Sequence, residues 1–68
     1  MTKHIYVKEV YYIVMWQNEE TWIYKDKDKA IRQVEYLTGK KQSEWEWDNG
    51  DNDEDGRAVY LTEAVWGD

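Results

Sequence analysis

The chain has no cysteine, no phenylalanine, one histidine and one serine among its 68 residues. Lack of cysteine rules out disulfides and thiolate metal sites, and His4 alone cannot build a histidine cluster. The two usual staples of a very small domain are therefore missing. No apolar run approaches the roughly 20 residues needed to cross a bilayer, and the start, MTKHIYVKEV, interrupts with charge the apolar stretch a signal peptide needs. These features lead to the expectation of a cytoplasmic chain, in keeping with the missing thiols. Catalytic groupings are equally scarce. Ser43 has no nucleophile-elbow glycines around it, and TGKK at 38–41 follows a helical pattern where a phosphate loop would precede one. Glu44 and Glu46 are a pair of carboxylates, but acid–base work needs a pocket that tunes them apart. The reading is of a non-enzyme with no cofactor.

What the chain does have is tryptophan and tyrosine, five and six of them. Their polar tips suit half-exposed positions, as in interfaces, where Phe would suit a closed core better. A chain this short forms a single domain, residues 1–68, burying only about 60% of its unfolded surface. Large aromatics or an oligomer must then supply the stability.

Charge is unevenly placed. Residues 1–41 hold eight Lys or Arg against six Asp or Glu, a balance of +2, whereas residues 42–68 hold Arg57 against nine acids, a balance of −8. Phosphate contacts need cations, so direct nucleic-acid binding by the second part is disfavoured and a basic protein is the natural counterpart. Lys3, Lys8, Lys25, Lys27 and Lys29 near Tyr6 and Tyr24 give only a faint basic–aromatic signal in the first part.

The pattern along the chain predicts an α+β fold: an antiparallel four-stranded sheet with one helix on one face, in the order ββαββ. Residues 4–16 read as a long first strand, apolar on both faces and hence central or covered on both sides. Lys8 and Glu9 interrupt it, as a bulge or as the end of the covered region. QNEE, 17–20, is a turn and TWIYK, 21–25, the returning strand. Ala30, Ile31, Val34 and Leu37 form one helical stripe over 27–38, with Asp26 or Asp28 as N-cap and Gly39 as the left-handed stop. EWEWD, 44–48, alternates like a third strand, with Trp45 and Trp47 on one face and Glu44, Glu46 and Asp48 on the other. Residues 57–66 read as the fourth, Val59, Leu61, Glu63 and Val65 opposing Tyr60, Thr62, Ala64 and Trp66. One helix covers one sheet face, so apolar side chains should remain on the second.

Between the last two strands lies DNGDNDEDG, 48–56, with five acids and two glycines. Three readings compete. Asp51, Asp53, Asp55 and Gly56 fit the first half of a calcium loop, but the closing position holds Thr62 where a bidentate Glu belongs, and no helix follows. A solvated turn needs only these residue types. The third reading adds Glu44, Glu46 and Asp48, repeating along a strand at about 6.6–6.8 Å, close to two steps of a DNA strand. Glu44, Glu46, Asp48, Asp51, Asp53, Glu54 and Asp55, with Trp45 and Trp47 beside them, would then occupy a basic groove built for phosphates.

The run YYIVMWQNEETWIYKDKDKAIRQVEYL, 11–37, resembles small phage and prophage accessory proteins that open with an aromatic hairpin and a D-K-x-K-A helix, here DKDKA at 26–30. The acidic second part is similar in character to anti-restriction and anti-CRISPR inhibitors. The resemblance implies a mobile-element origin and a bacterial host protein, such as a nuclease, as partner. It carries no site residues with it. The leading expectation is thus a non-catalytic acidic inhibitor or adaptor, a DNA mimic in the host cytoplasm. Its alternatives are a module dimerising through an aromatic sheet face and a calcium-dependent binder using the DNDEDG loop.

Overall fold

The computed structural model describes residues 9–66. The element order is β1 (Glu9–Trp16), β2 (Glu20–Tyr24), α1 (Lys27–Thr38), a single 3-10 turn (Gln42–Glu44), β3 (Gly50–Asn52) and β4 (Ala58–Trp66). The strands form one antiparallel sheet in the order β2-β1-β4-β3, and α1 packs against it. This is the α+β arrangement the pattern predicts. The part of the expected first strand at 4–8, with the break at Lys8, lies outside the described residues. The turn after β1 is one residue shorter than read, because Glu20 already pairs with Trp16. Asn18 takes the left-handed conformation there (φ 61°), one that Asn tolerates better than most side chains.

The helix is fixed locally at both ends. The Asp26 carboxylate accepts a hydrogen bond from the Asp28 amide at 2.9 Å, satisfying one of the otherwise unpaired first-turn donors. Gly39 ends the helix at φ 71°, and its N–H donates to the Glu35 carbonyl at 2.8 Å. Asp26→Ala should lower stability by about 1 kcal/mol, read as a lower urea midpoint with an unchanged slope. An equal effect from Asp28→Ala would contradict this choice of cap.

Ala30, Val34 and Thr38, one turn apart, are the buried positions of α1, while Ile31 and Leu37 pack half-buried at the margin. Thr38 is the addition to the predicted stripe. A polar residue is tolerated there because its hydroxyl donates to the Val34 carbonyl at 2.8 Å. The helix meets Val14 of β1 and Val59 and Leu61 of β4, and Trp45 closes the core from the connection after α1. Tyr12, Trp16, Trp22 and Tyr24 pack around this centre, and the Trp16 and Trp22 rings stack at 6.3 Å between centroids. Among the described residues, no helix is long and apolar enough to cross a membrane.

The third strand departs from the sequence reading. Glu44 ends the 3-10 turn, Trp45 and Glu46 are unpaired, and Trp47 makes an isolated bridge to Gly50. The paired strand is Gly50–Asn52, inside the segment read as loop. The Trp45/Trp47 alternation does not mark one sheet face: Trp45 is buried and Trp47 is exposed. The cause is backbone approach. A Cβ on Gly50 would overlap the Val59 carbonyl oxygen and lie 2.7 Å from Tyr60 Cα, so only glycine fits where the chain meets β4.

Candidate acidic interface

Because Gly50 faces Tyr60 and Asp51 faces Val59, the pleat sends the Asp51 side chain to the helix side of the sheet. Its carboxylate is 3% exposed. One oxygen accepts from the Asn52 amide at 2.6 Å. The other accepts from Lys40 Nζ at 3.0 Å and the Glu46 amide at 3.2 Å. Led by the Asn52 amide and then Lys40, these donors hold the Asp51 carboxyl below its ordinary value against the opposing effect of burial. Asp51 ties the segment after α1 to β3 and is spent on the fold.

Asp53 organises the turn into β4. One oxygen accepts from the amides of Asp55 and Arg57 at 2.9 and 2.8 Å, and the other accepts from Trp16 Nε1 at 2.8 Å. Burial works to raise its pKa. The Arg57 amide, the Trp16 indole, the Asp55 amide and the Arg57 charge outweigh it, and the net direction is down. Gly56 completes the turn at φ 80°. Arg57 reaches back across the hairpin ends to Glu19 at 2.9 Å.

The other predicted site residues divide by place. Trp45 belongs to the core, its Nε1 donating to the Lys40 carbonyl at 3.0 Å. Glu44 accepts from the Lys41 amide in a capping arrangement on the 3-10 turn. Glu46, Trp47 and Asp48 are exposed on the connection before β3, and Glu54 and Asp55 are exposed at the turn beyond it. Glu44, Glu46 and Asp48 therefore do not repeat along a strand, and a DNA-like spacing has no backbone to carry it. Two exposed acidic groups instead flank the ends of a three-residue strand, about 10 Å long.

Asp51, Asp53 and Asp55 do not converge either. Asp51 points to the helix side, Asp53 is committed to three donors, and no group of three acids or histidines able to hold a metal occurs among the described residues. Of the residues that fit the calcium pattern, Asp51 serves β3 and Asp53 the turn after it.

One feature could not be read from the motif. A groove of about 400 Å³ runs between the C-terminal end of α1 and the β3–β4 turn, lined by Trp16, Tyr36, Leu37, Asp53, Glu54 and Asp55 among others. Tyr36 is 81% exposed. The carbonyl end of a helix carries partial negative charge, so three carboxylates, two aromatic rings and a helix C-terminus share one concavity. The available signal was an aromatic residue lying off the helix's apolar stripe in its last turns.

No family model, curated protein or solved structure matches this chain.

Proposed function

We propose that the chain is a non-catalytic binding protein that recognises a basic partner through the acidic groove and the exposed acids flanking β3. The observation that carries this reading is the groove itself. Glu54, Asp55 and the C-terminal end of α1 border a site whose walls include Trp16 and Tyr36, and aromatic faces attract Lys and Arg side chains. The nearest cation of the turn, Arg57, pairs more closely with Glu19, at 2.9 Å, than with Asp55, at 3.8 Å, and against its single charge the groove sets three carboxylates. A protein surface built to hold phosphates offers the matching cations, and inhibition of a host nucleic-acid-binding protein such as a nuclease follows by competition. A phage or prophage origin and a place in the bacterial cytoplasm belong to the same proposal.

Recognition rests on Asp48, Glu54, Asp55 and Tyr36, while Asp51 and Asp53 hold the scaffold. The test is displacement of labelled duplex DNA from a panel of basic bacterial nucleases. The wild type should displace it from its target, with an association rate that falls as salt rises. The triple variant Asp48→Lys, Glu54→Lys, Asp55→Lys should lose on the order of 100-fold in affinity and keep its circular dichroism spectrum. Unchanged binding by that folded variant, or no member of the panel bound, would count against the reading.

A further inference from the structure

We infer that the sheet face turned away from α1 is the interface of a homodimer, formed with a second copy of this chain about a two-fold axis running along β1. The register places Tyr11, Ile13 and Met15 of β1 on that face, next to Ile23 of β2 and Tyr60, Ala64 and Trp66 of β4. No element packs on it among the described residues, since α1 lies on the side of Val14, Val59 and Leu61. Ile23 is 66% exposed and Trp66 74% exposed. Between them Tyr11, Ile13 and Ala64 line a shallow depression of about 350 Å³.

Three observations select a second copy as the occupant. The first is charge. The chain carries a net −6, yet among the described strand positions Glu9 is the acid on this face, and Lys25, seated over the Tyr11 ring at 5.6 Å, is the base beside it. A strongly acidic molecule has thus left one neutral surface on which a like-charged copy can approach. The second is symmetry. The apolar positions lie on β1 and on both its neighbours, β2 and β4. A two-fold along β1 sets β2 of one copy over β4 of the other, with Ile23 against the Ala64 hollow and Lys25 towards the other copy's Glu9 and Trp66. Such an isologous contact closes at two subunits.

The third observation is size. Strands of eight, five, three and nine residues, at about 3.4 Å by 4.8 Å per residue, give a flat footprint of roughly 400 Å² before side-chain relief. Relief brings this towards the about 800 Å² per partner of a standard association. The largest apolar patch of an ordinary monomer spans about 300–600 Å² and often marks a contact site, and this face is of that size. The fold also has a use for the cover. Among the described residues six apolar side chains are buried, and association is one of the usual means by which a domain this small buries more.

Sedimentation velocity on the full chain, from about 5 to about 500 µM, spans the affinities such a face provides. The wild type should sediment as a dimer over most of that range, and its melting temperature should rise with concentration. Ile23→Lys and, separately, Trp66→Ser should each shift the dimer dissociation constant upward by at least about tenfold. Neither side chain is needed by the core, and circular dichroism verifies that each variant is folded. Dimerisation should be almost insensitive to salt and unaffected by Asp48→Lys, Glu54→Lys, Asp55→Lys, which separates it from recognition of the basic partner. A wild type that stays monomeric with a concentration-independent melting temperature overturns the proposal. So does a dimer that both sheet-face variants leave intact, and so does a face that becomes covered only when a different molecule is added.

Discussion

Gly50→Ala should destabilise the protein by about 3 kcal/mol or more, the upper range for forcing atoms into a packed site. The new methyl would overlap the Val59 carbonyl and press on Tyr60 Cα at 2.7 Å. Both obstacles are backbone of the neighbouring strand, so no side-chain rotation relieves them. Relief requires β3 to separate from β4, and that separation pulls Asp51 out of its setting of donors. Gly56→Ala provides the comparison. Position 56 has a positive φ but open space around a Cβ, so its cost is the left-handed conformation alone, about 1 kcal/mol. Urea denaturation of both variants gives the contrast directly. If Gly50→Ala costs no more than Gly56→Ala, close approach is not what sets the register of β3. In a protein of this size the larger loss also means a visible unfolded fraction at room temperature.

The elements legible in the sequence are those whose causes are local or strictly periodic. Asp26, the Ala30–Val34 spacing and Gly39 define α1 within a dozen residues, and no distant contact is needed to place it. The division of β4 into two faces follows from a period of two; which of them α1 covers, that of Val59 and Leu61, is set by the fold. β3 was illegible because its cause is remote. The Trp45/Trp47 alternation is a strand pattern in isolation, but Trp45 turns inward at the end of α1, where the Lys40 carbonyl accepts its indole N–H. Pairing then falls to the one nearby residue that can lie against the β4 backbone, Gly50. The acids followed the same division. Glu54 and Asp55 lie in the loop expected before the last strand, whereas the burial of Asp51 depends on donors from Lys40 and Glu46, which no motif brings together. Tyr36 and Trp16 escaped notice as groove walls because they come from different elements, and only the fold places them beside the turn.

Asp51→Asn should lower the melting temperature by roughly 10 °C, the loss expected when charge-assisted hydrogen bonds disappear from a domain of this size. The amide keeps one acceptor oxygen but presents an NH₂ to donors that face it. Lys40 contributes the smaller share, since its ammonium is half in water and the pair is screened; the Asn52 and Glu46 amides carry the larger one. Single reversals at Asp48, Glu54 or Asp55 should leave the melting temperature within a few degrees, because exposed charges are worth little to folding. The same carboxylates set the acid limb of stability. Asp51 and Asp53 both have pKa values lowered by folding from the ordinary 3.8. Between the folded and unfolded values the unfolded chain binds more protons, so stability rises with pH in that window. Their contribution is therefore complete above about pH 4 to 5 and is lost as pH falls below 3.8 through the folded-state values. In Asp51→Asn that acid slope should flatten, leaving the part due to Asp53. An unchanged slope, or a variant as stable as the wild type at neutral pH, would mean that Asp51 is not the acid holding β3 in place. Its charge would then return to the pool available for recognition.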